Sequence, residues 1–196
     1  LTSAHINATD ALYANLGDVF LAHEQRHGVI EALAKGPWAD DPAVNTAIVD
    51  DILSMEAALD QPLGVIEPLM PQINALMAGD DLNGISDRLL GYEGDNVWLQ
   101  KARDGFAHGS KLAACWIFRQ LNESANYSLK EVFDTELRLG ANIMRHPEFA
   151  EGVRALLVDK DRQPKWQFAT VQDVPMDVLE SFFAEPLGAP NMHYPW

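Results

Sequence analysis

What most constrains the fold of this chain is a succession of capped, amphipathic helical segments with almost no strand character between them. The best specified begins at Ser128, where Glu131 three residues on completes a capping box. Leu129, Val132, Phe133, Leu137, Ala141 and Met144 then recur at helical spacing, predicting one buried face. Ser110 caps the most apolar segment, whose Leu112, Cys115, Trp116, Ile117 and Phe118 cover so much of the circumference that this helix is expected to be central. Pro147 suits the first turn of a following helix, with Phe149, Val153, Leu156 and Leu157 expected to face inward.

Towards the N-terminus, Asn7 or Thr9 serves as N-cap of a short helix stopped by Gly17, and residues 18–21 have the shape of a single short strand. A segment over residues 22–34 is closed by Lys35, Gly36 and Pro37. Asp41 and Pro42 open a helix that would bury Val44, Ile48, Ile52, Met55 and Leu59. Between residues 62 and 92, Pro68 and Pro71 allow only short or kinked helices before Leu76. A further helix is expected over residues 95–107 and a last amphipathic turn over 175–183, followed by a ProLeuGlyAlaPro tail. With no repeat, low-complexity run or linker, the expectation is one mainly α unit with at most one or two short strands near its start.

The formal net charge of −15 argues against nucleic acid, whose phosphates demand clustered Lys and Arg. No stretch approaches ~18 uninterrupted apolar residues, so no membrane span is expected, and no charged run leading into an apolar one reads as a signal peptide. The sole cysteine, Cys115, has no internal partner, which fits a reducing compartment; within LAACWIF it reads as a small core residue.

Two patterns suggest chemistry that their context does not support. His23, Glu24, Gln25, Arg26 and His27 spell HExxH, which on a helix aligns two imidazoles for zinc with a carboxylate beside them. Gly28 follows at once, Ile30 and Leu33 stand where a metzincin continues with glycine and histidine, and the chain offers no edge strand for a peptide. A third ligand would have to come from a distant residue such as Glu56, and no metal site is expected. Gly105, Gly109, Ser110 and Lys111 glance at a phosphate-binding loop, but the glycine spacing and the Ser–Lys order are wrong; a helix stop followed by an N-cap is the expectation. Neither GxSxG nor GxGxxG occurs.

The run FAEGVRALLVDKDRQPKW at residues 149–166 reads as a short helix breaking into a basic, proline-stiffened turn with an aromatic end. Together with SLKEVFDTELRLGANIMRHPEF before it and the opening LTSAHINATDALYANLGDVFL, it resembles the 3-hydroxyisobutyryl-CoA hydrolase branch of the crotonase (enoyl-CoA hydratase/isomerase) superfamily. The resemblance spans roughly the whole chain but only the family's C-terminal half. It implies that residues 1–21 are the tail end of the crotonase spiral core and residues 22–196 its helical C-terminal region. It also implies a whole enzyme that hydrolyses a short β-hydroxyacyl-CoA thioester in valine breakdown, with the oxyanion-hole amides and catalytic carboxylates upstream and none assignable here. Enoyl-CoA hydration or isomerisation, and a non-catalytic helical interaction module, are the alternatives.

The lysine matching the end of EGVRALLVDK, here Lys160, would lie near the adenosine phosphate end of coenzyme A by the same resemblance. The thioester is substrate and no further cofactor is implied. Because coenzyme A is an anion and the chain is acidic, such a site needs the local basic patch of Lys160, Arg162 and Lys165. Expected partners are the acyl-CoA, the N-terminal half of the enzyme and further copies in a homo-oligomer, in the cytoplasm or, in a eukaryote, the mitochondrial matrix.

Overall fold

A computed structural model describes residues 1–56 and 60–186, the side chain of Glu56 excepted, and places ten α-helices and no strand among them. Residues 18–21, expected to be a strand, are irregular. A lone extended segment has no ladder to which its amides can be given. The sequence shows no linker, yet the chain divides into two compact units, His5–Ala75 on one hand and Leu1–Ala4 with Leu76–Trp196 on the other.

The first unit carries α1 (Ala8–Tyr13), α2 (Arg26–Ala34), α3 (Pro42–Glu56) and α4 (Ile66–Leu76), the last ending at the unit boundary. Asn7 caps α1 in a capping box with Asp10. Asp10 is 1 % exposed, and one of its oxygens also accepts the Val65 and Ile66 amides at 2.6 and 2.8 Å, so a single carboxylate holds α1 to the start of α4. Burial alone would push its carboxyl up; hydrogen bonds from the Ile66, Asn7 and Val65 amides outweigh that and hold it below the ordinary aspartate value.

One expectation fails in this unit. The face predicted for α3 is not buried, since Val44 and Met55 are exposed and Ile48 and Ile52 only half-covered; Leu59 lies outside the described residues. The prolines leave α4 a helix of eleven residues ending at Leu76. Pro68 occupies its third position, where the missing N–H would have no intrahelical partner anyway, and Pro71 forfeits one bond inside an eleven-residue helix.

The second unit builds its core from α5 (Leu82–Leu90), α6 (Val97–His108), α7 (Lys111–Glu123), α8 (Leu129–Ile143), α9 (Pro147–Val153) and α10 (Met176–Phe183). Asp81, Asn96, Ser110 and Ser128 cap four of these starts with side-chain oxygens. Ser110 accepts the Ala113 amide at 2.9 Å, and α7 is central as expected, burying Lys111, Leu112, Ala114 and Cys115. One cluster gathers Ile85, Leu89, Phe106, Ala114, Cys115 and Val171; a second gathers Leu112, Leu139 and Phe182. Asn142 donates to the carbonyls of Phe182 and Ala184 at 3.0 and 2.9 Å, pinning the end of α10 to α8. Arg119 stands 4.1 Å over the Phe183 ring and pairs with Glu180, tying α7 to the same helix.

The capping box of α8 forms, but the helix buries a different stripe from the one predicted. Thr135 and Leu139 are covered, Phe133 is half-buried, and Leu129 and Met144 are 73 % and 64 % exposed. Thr135 can be covered because its hydroxyl donates to the Glu131 carbonyl at 2.8 Å.

One close approach needs glycine. A Cβ on Gly105 would stand 2.3 Å from the Thr2 carbonyl oxygen, so the Leu1–Ala4 segment lies directly on α6. Gly105→Ala is expected to displace that segment and lower the melting midpoint, with amides of residues 1–4 losing hydrogen-exchange protection. Unchanged protection would show that the contact does not hold the N-terminus.

Candidate functional site

The basic turn grows out of α9. His146 is its N-cap, Nδ1 accepting the Glu148 amide at 3.3 Å, and Pro147 takes the first helical position with φ already set. The helix then widens: the Asp159 amide donates to the Arg154 carbonyl at 2.8 Å, giving a π turn over Arg154–Val158. That extra residue rotates the side chains that come after it. Ala155 takes the buried position, while Leu156 and Leu157, expected to face inward, are 61 % and 62 % exposed and Phe149 is also exposed.

These residues border an apolar groove of about 550 Å³. Leu112 and Trp116 of α7, Ile143 of α8 and Val153 of α9 contribute to its walls, and Arg162 is its cation. Glu148 is buried beside it, accepting from the Ser110 hydroxyl and from the Gln167 amide at 2.8 Å. The Trp166 indole donates to the His108 carbonyl at 2.7 Å, and a Cβ on Gly152 would come within 3.3 Å of its ring.

Beyond the π turn the chain folds around Arg154. Its guanidinium donates to both Glu151 oxygens at 2.9 and 2.8 Å, to Asp159 at 2.6 Å, to Asp161 at 2.7 Å and to the Gln163 carbonyl at 3.1 Å. Glu151 also accepts the Lys165 amide at 2.6 Å. The hydrogen bonds from Arg154, then the Lys165 amide, bring the Glu151 carboxyl down to about 2. Asp161 is likewise lowered, first by Arg154 and then by the Gln163 amide. Lys160 and Arg162 have left-handed backbones, φ 56° and 55°, and both side chains are exposed. Lys160, the residue named by resemblance, stands outside the groove's lining; Arg162, two residues on, belongs to it.

The other motifs resolve locally. His23 sits in a 3₁₀ turn, His23–Gln25, and His27 in α2, so HExxH straddles two helix types. Among the described residues no group of three His, Cys, Asp or Glu side chains is placed to hold a metal. Gly109 ends α6 and Ser110 caps α7, as expected, while the Lys111 ammonium donates to the carbonyls of Phe106, Ala107 and Gly109 at 2.8, 2.9 and 2.9 Å. Lys111 thus closes α6, and burial lowers its pKa from the ordinary lysine value. Cys115 is buried, and desolvation pushes its thiol up to about 11, so at neutral pH it is a core residue and not a thiolate nucleophile.

Sequence reasoning missed Arg154, Glu151 and Glu148. The signal for the first two was present, an i, i+3 carboxylate–guanidinium pair followed by two further aspartates. Glu148 gave none, because its partners Ser110 and Gln167 are remote in the chain.

The comparisons with known proteins bear on family and fold. The family described as enoyl-CoA hydratase/isomerase matches residues 1–183. The chain is 29% identical over 191 residues to the mitochondrial 3-hydroxyisobutyryl-CoA hydrolase of Gallus gallus, covering 96% of this chain and 48% of that protein. It is 31% identical over 187 residues to that of Xenopus laevis, covering 93% and 47%. Among solved structures, an enoyl-CoA hydratase from Rhodobacter sphaeroides superposes with a TM-score of 0.68 at 26% identity, over 96% of this chain and 50% of the other. A carnitinyl-CoA dehydratase from Mycobacterium thermoresistibile gives 0.73 at 23%, a likeness of fold. The chain spans about half the length of the curated relatives it matches, and that half is their C-terminal one. Among the described residues no helix is long and apolar enough to cross a membrane. The chain belongs to the enoyl-CoA hydratase/isomerase family, the crotonase superfamily, and has the helical architecture of its C-terminal half.

Proposed function

We propose that this chain is the helical C-terminal half of an acyl-CoA thioester hydrolase acting on 3-hydroxyisobutyryl-CoA or a similar short β-hydroxyacyl-CoA of valine breakdown. The observation that carries it is similarity along almost the whole chain to 3-hydroxyisobutyryl-CoA hydrolases. In this reading residues 1–21 end the spiral core and the remainder covers it. The apolar groove walls part of the ligand site, and Lys160 supplies a mobile point charge to a coenzyme A phosphate. Upstream amides would hold the thioester oxyanion and upstream carboxylates would direct the attacking group. A matrix location, or cytoplasm in a bacterium, accompanies the proposal.

The test is release of free thiol from 3-hydroxyisobutyryl-CoA. The chain alone is expected to give none above a heat-denatured control, and thiol release is expected when it is supplied with the N-terminal half of the Gallus gallus relative. Turnover by the chain alone that survives repurification would overturn the assignment of roles. Enoyl-CoA hydration is the second reading, favoured by the structural likeness to the Rhodobacter sphaeroides enzyme; restored hydration without thiol release would select it.

Phe149, Leu156, Leu157 and Val158 put four large apolar side chains at the surface within ten residues, the kind of exposure that a soluble monomer tends to cover. The chain is therefore expected to self-associate or to pair with a second chain, while its net charge of −15 opposes indiscriminate aggregation. Sedimentation at several concentrations checks this, and a monomer at all of them would refute the covering role.

A further inference from the structure

The turn over residues 159–162 reads Asp, Lys, Asp, Arg, an alternation in which neighbouring opposite charges would ordinarily pair and cancel. They do not. Asp159 and Asp161 are both bound to Arg154, and the ion pairs of this turn among the described residues all run to that guanidinium, none to Lys160 or Arg162. Five hydrogen bonds occupy the five N–H donors of Arg154, two to Glu151 and one each to Asp159, Asp161 and the Gln163 carbonyl. Meanwhile Lys160 and Arg162, each in a left-handed conformation that a residue with a Cβ adopts only at a cost, are exposed to solvent. The Arg162 amide is tied to the Ala155 carbonyl at 3.0 Å and the Gln163 amide to Asp161 at 2.8 Å, so the backbone on which both cations stand is anchored.

We propose that Arg154 is a positioning residue that sorts the charges of this turn, holding Asp159 and Asp161 so that Lys160 and Arg162 act together as an anion-binding pair for the phosphates of a nucleotide-containing thioester. Arg154 touches no ligand; its guanidinium is fully used. Its task is to keep two carboxylates from the two cations that meet the anion, in a chain whose overall charge would repel one. The nucleotide identity rests on the function proposed above, whereas the charge sorting does not.

Calorimetric titration of the 196-residue chain at low salt tests both. Adenosine 3′,5′-bisphosphate is one probe and pyrophosphate the other. Wild type is expected to bind the bisphosphate, with Lys160→Gln and Arg162→Gln each about tenfold weaker. Arg154→Gln is expected to be at least about tenfold weaker without touching the ligand. Arg154→Lys, which keeps the charge but not the fork, is expected to match that loss, and it stands in if Arg154→Gln melts below the assay temperature. Adding Asp159→Asn and Asp161→Asn to Arg154→Gln should restore affinity, since no carboxylate is then left to hold away; a merely structural role would not be rescued by removing more of the network. Asp50→Asn with Asp51→Asn in the same background controls for net charge and should not restore it. Wild-type affinity in both Arg154 variants, absence of rescue, or a wild type that binds neither anion would overturn the proposal. Pyrophosphate binding as tightly as the bisphosphate, with the Arg154 dependence intact, would leave the charge sorting standing and remove the nucleotide assignment.

Discussion

Phe106→Ala is expected to destabilise the second unit by about 3–5 kcal/mol, measured by denaturant unfolding, because the site is fully enclosed and cannot collapse onto the void. Phe106 is 1 % exposed and sits among Ile85 and Leu89 of α5, Ala114 and Cys115 of α7, and Val171 of the 3₁₀ turn Val171–Asp173 before α10. The same ring lies 5.2 Å beneath the Lys111 ammonium, so truncation also removes an apolar and cation-facing surface from a buried charge. Phe133→Ala is the control. That ring is only half-buried, and a loss under about 2 kcal/mol is expected. Equal losses at the two positions would mean that the assignment of the buried stripe on α8 is wrong.

Asp10→Ala should cost about 3 kcal/mol, since it leaves the Asn7, Val65 and Ile66 amides without their acceptor in a buried place. The carboxylate's pKa is lowered in the folded chain, which sets the sign of a pH effect. The folded state binds the proton less readily than the unfolded one. Asp10 therefore contributes its full stability above the unfolded aspartate value, about 3.9. That contribution is lost as pH falls through the lower folded value. The stability difference between wild type and Asp10→Asn should accordingly be flat near neutrality and shrink in acid. A difference that grows in acid would mean that burial, and not the three amides, dominates the carboxyl.

The helix starts were legible because they are local. Ser110, Ser128 with Glu131, and Pro147 act within one turn of their own chain, through orphaned amides or a preset φ, and each performs the role its position suggests. Faces were less legible. Leu129, Phe133 and Met144 are apolar at helical spacing, yet the covered stripe of α8 runs through Thr135 and Leu139, against Phe182 from a helix about forty residues further on. Leu156 and Leu157 repeat the lesson, because one π turn changed which side they present.

The site divides in the same way. That the segment following α9 is basic, stiffened by Pro164 and ended by Trp166 could be read from sequence, as could its family. Which cations would be left for a ligand could not. Asp159 and Asp161 are nearer in sequence to Lys160 and Arg162 than to Arg154, and only the fold shows the guanidinium taking both. Capping, proline placement and composition are short-range properties of the covalent chain, so the sequence by itself determined the helical class, the helix starts and the family likeness. The buried faces, the groove and the pairing of charges were decided by tertiary structure, because each depends on which distant group arrives first at a side chain that could have satisfied several.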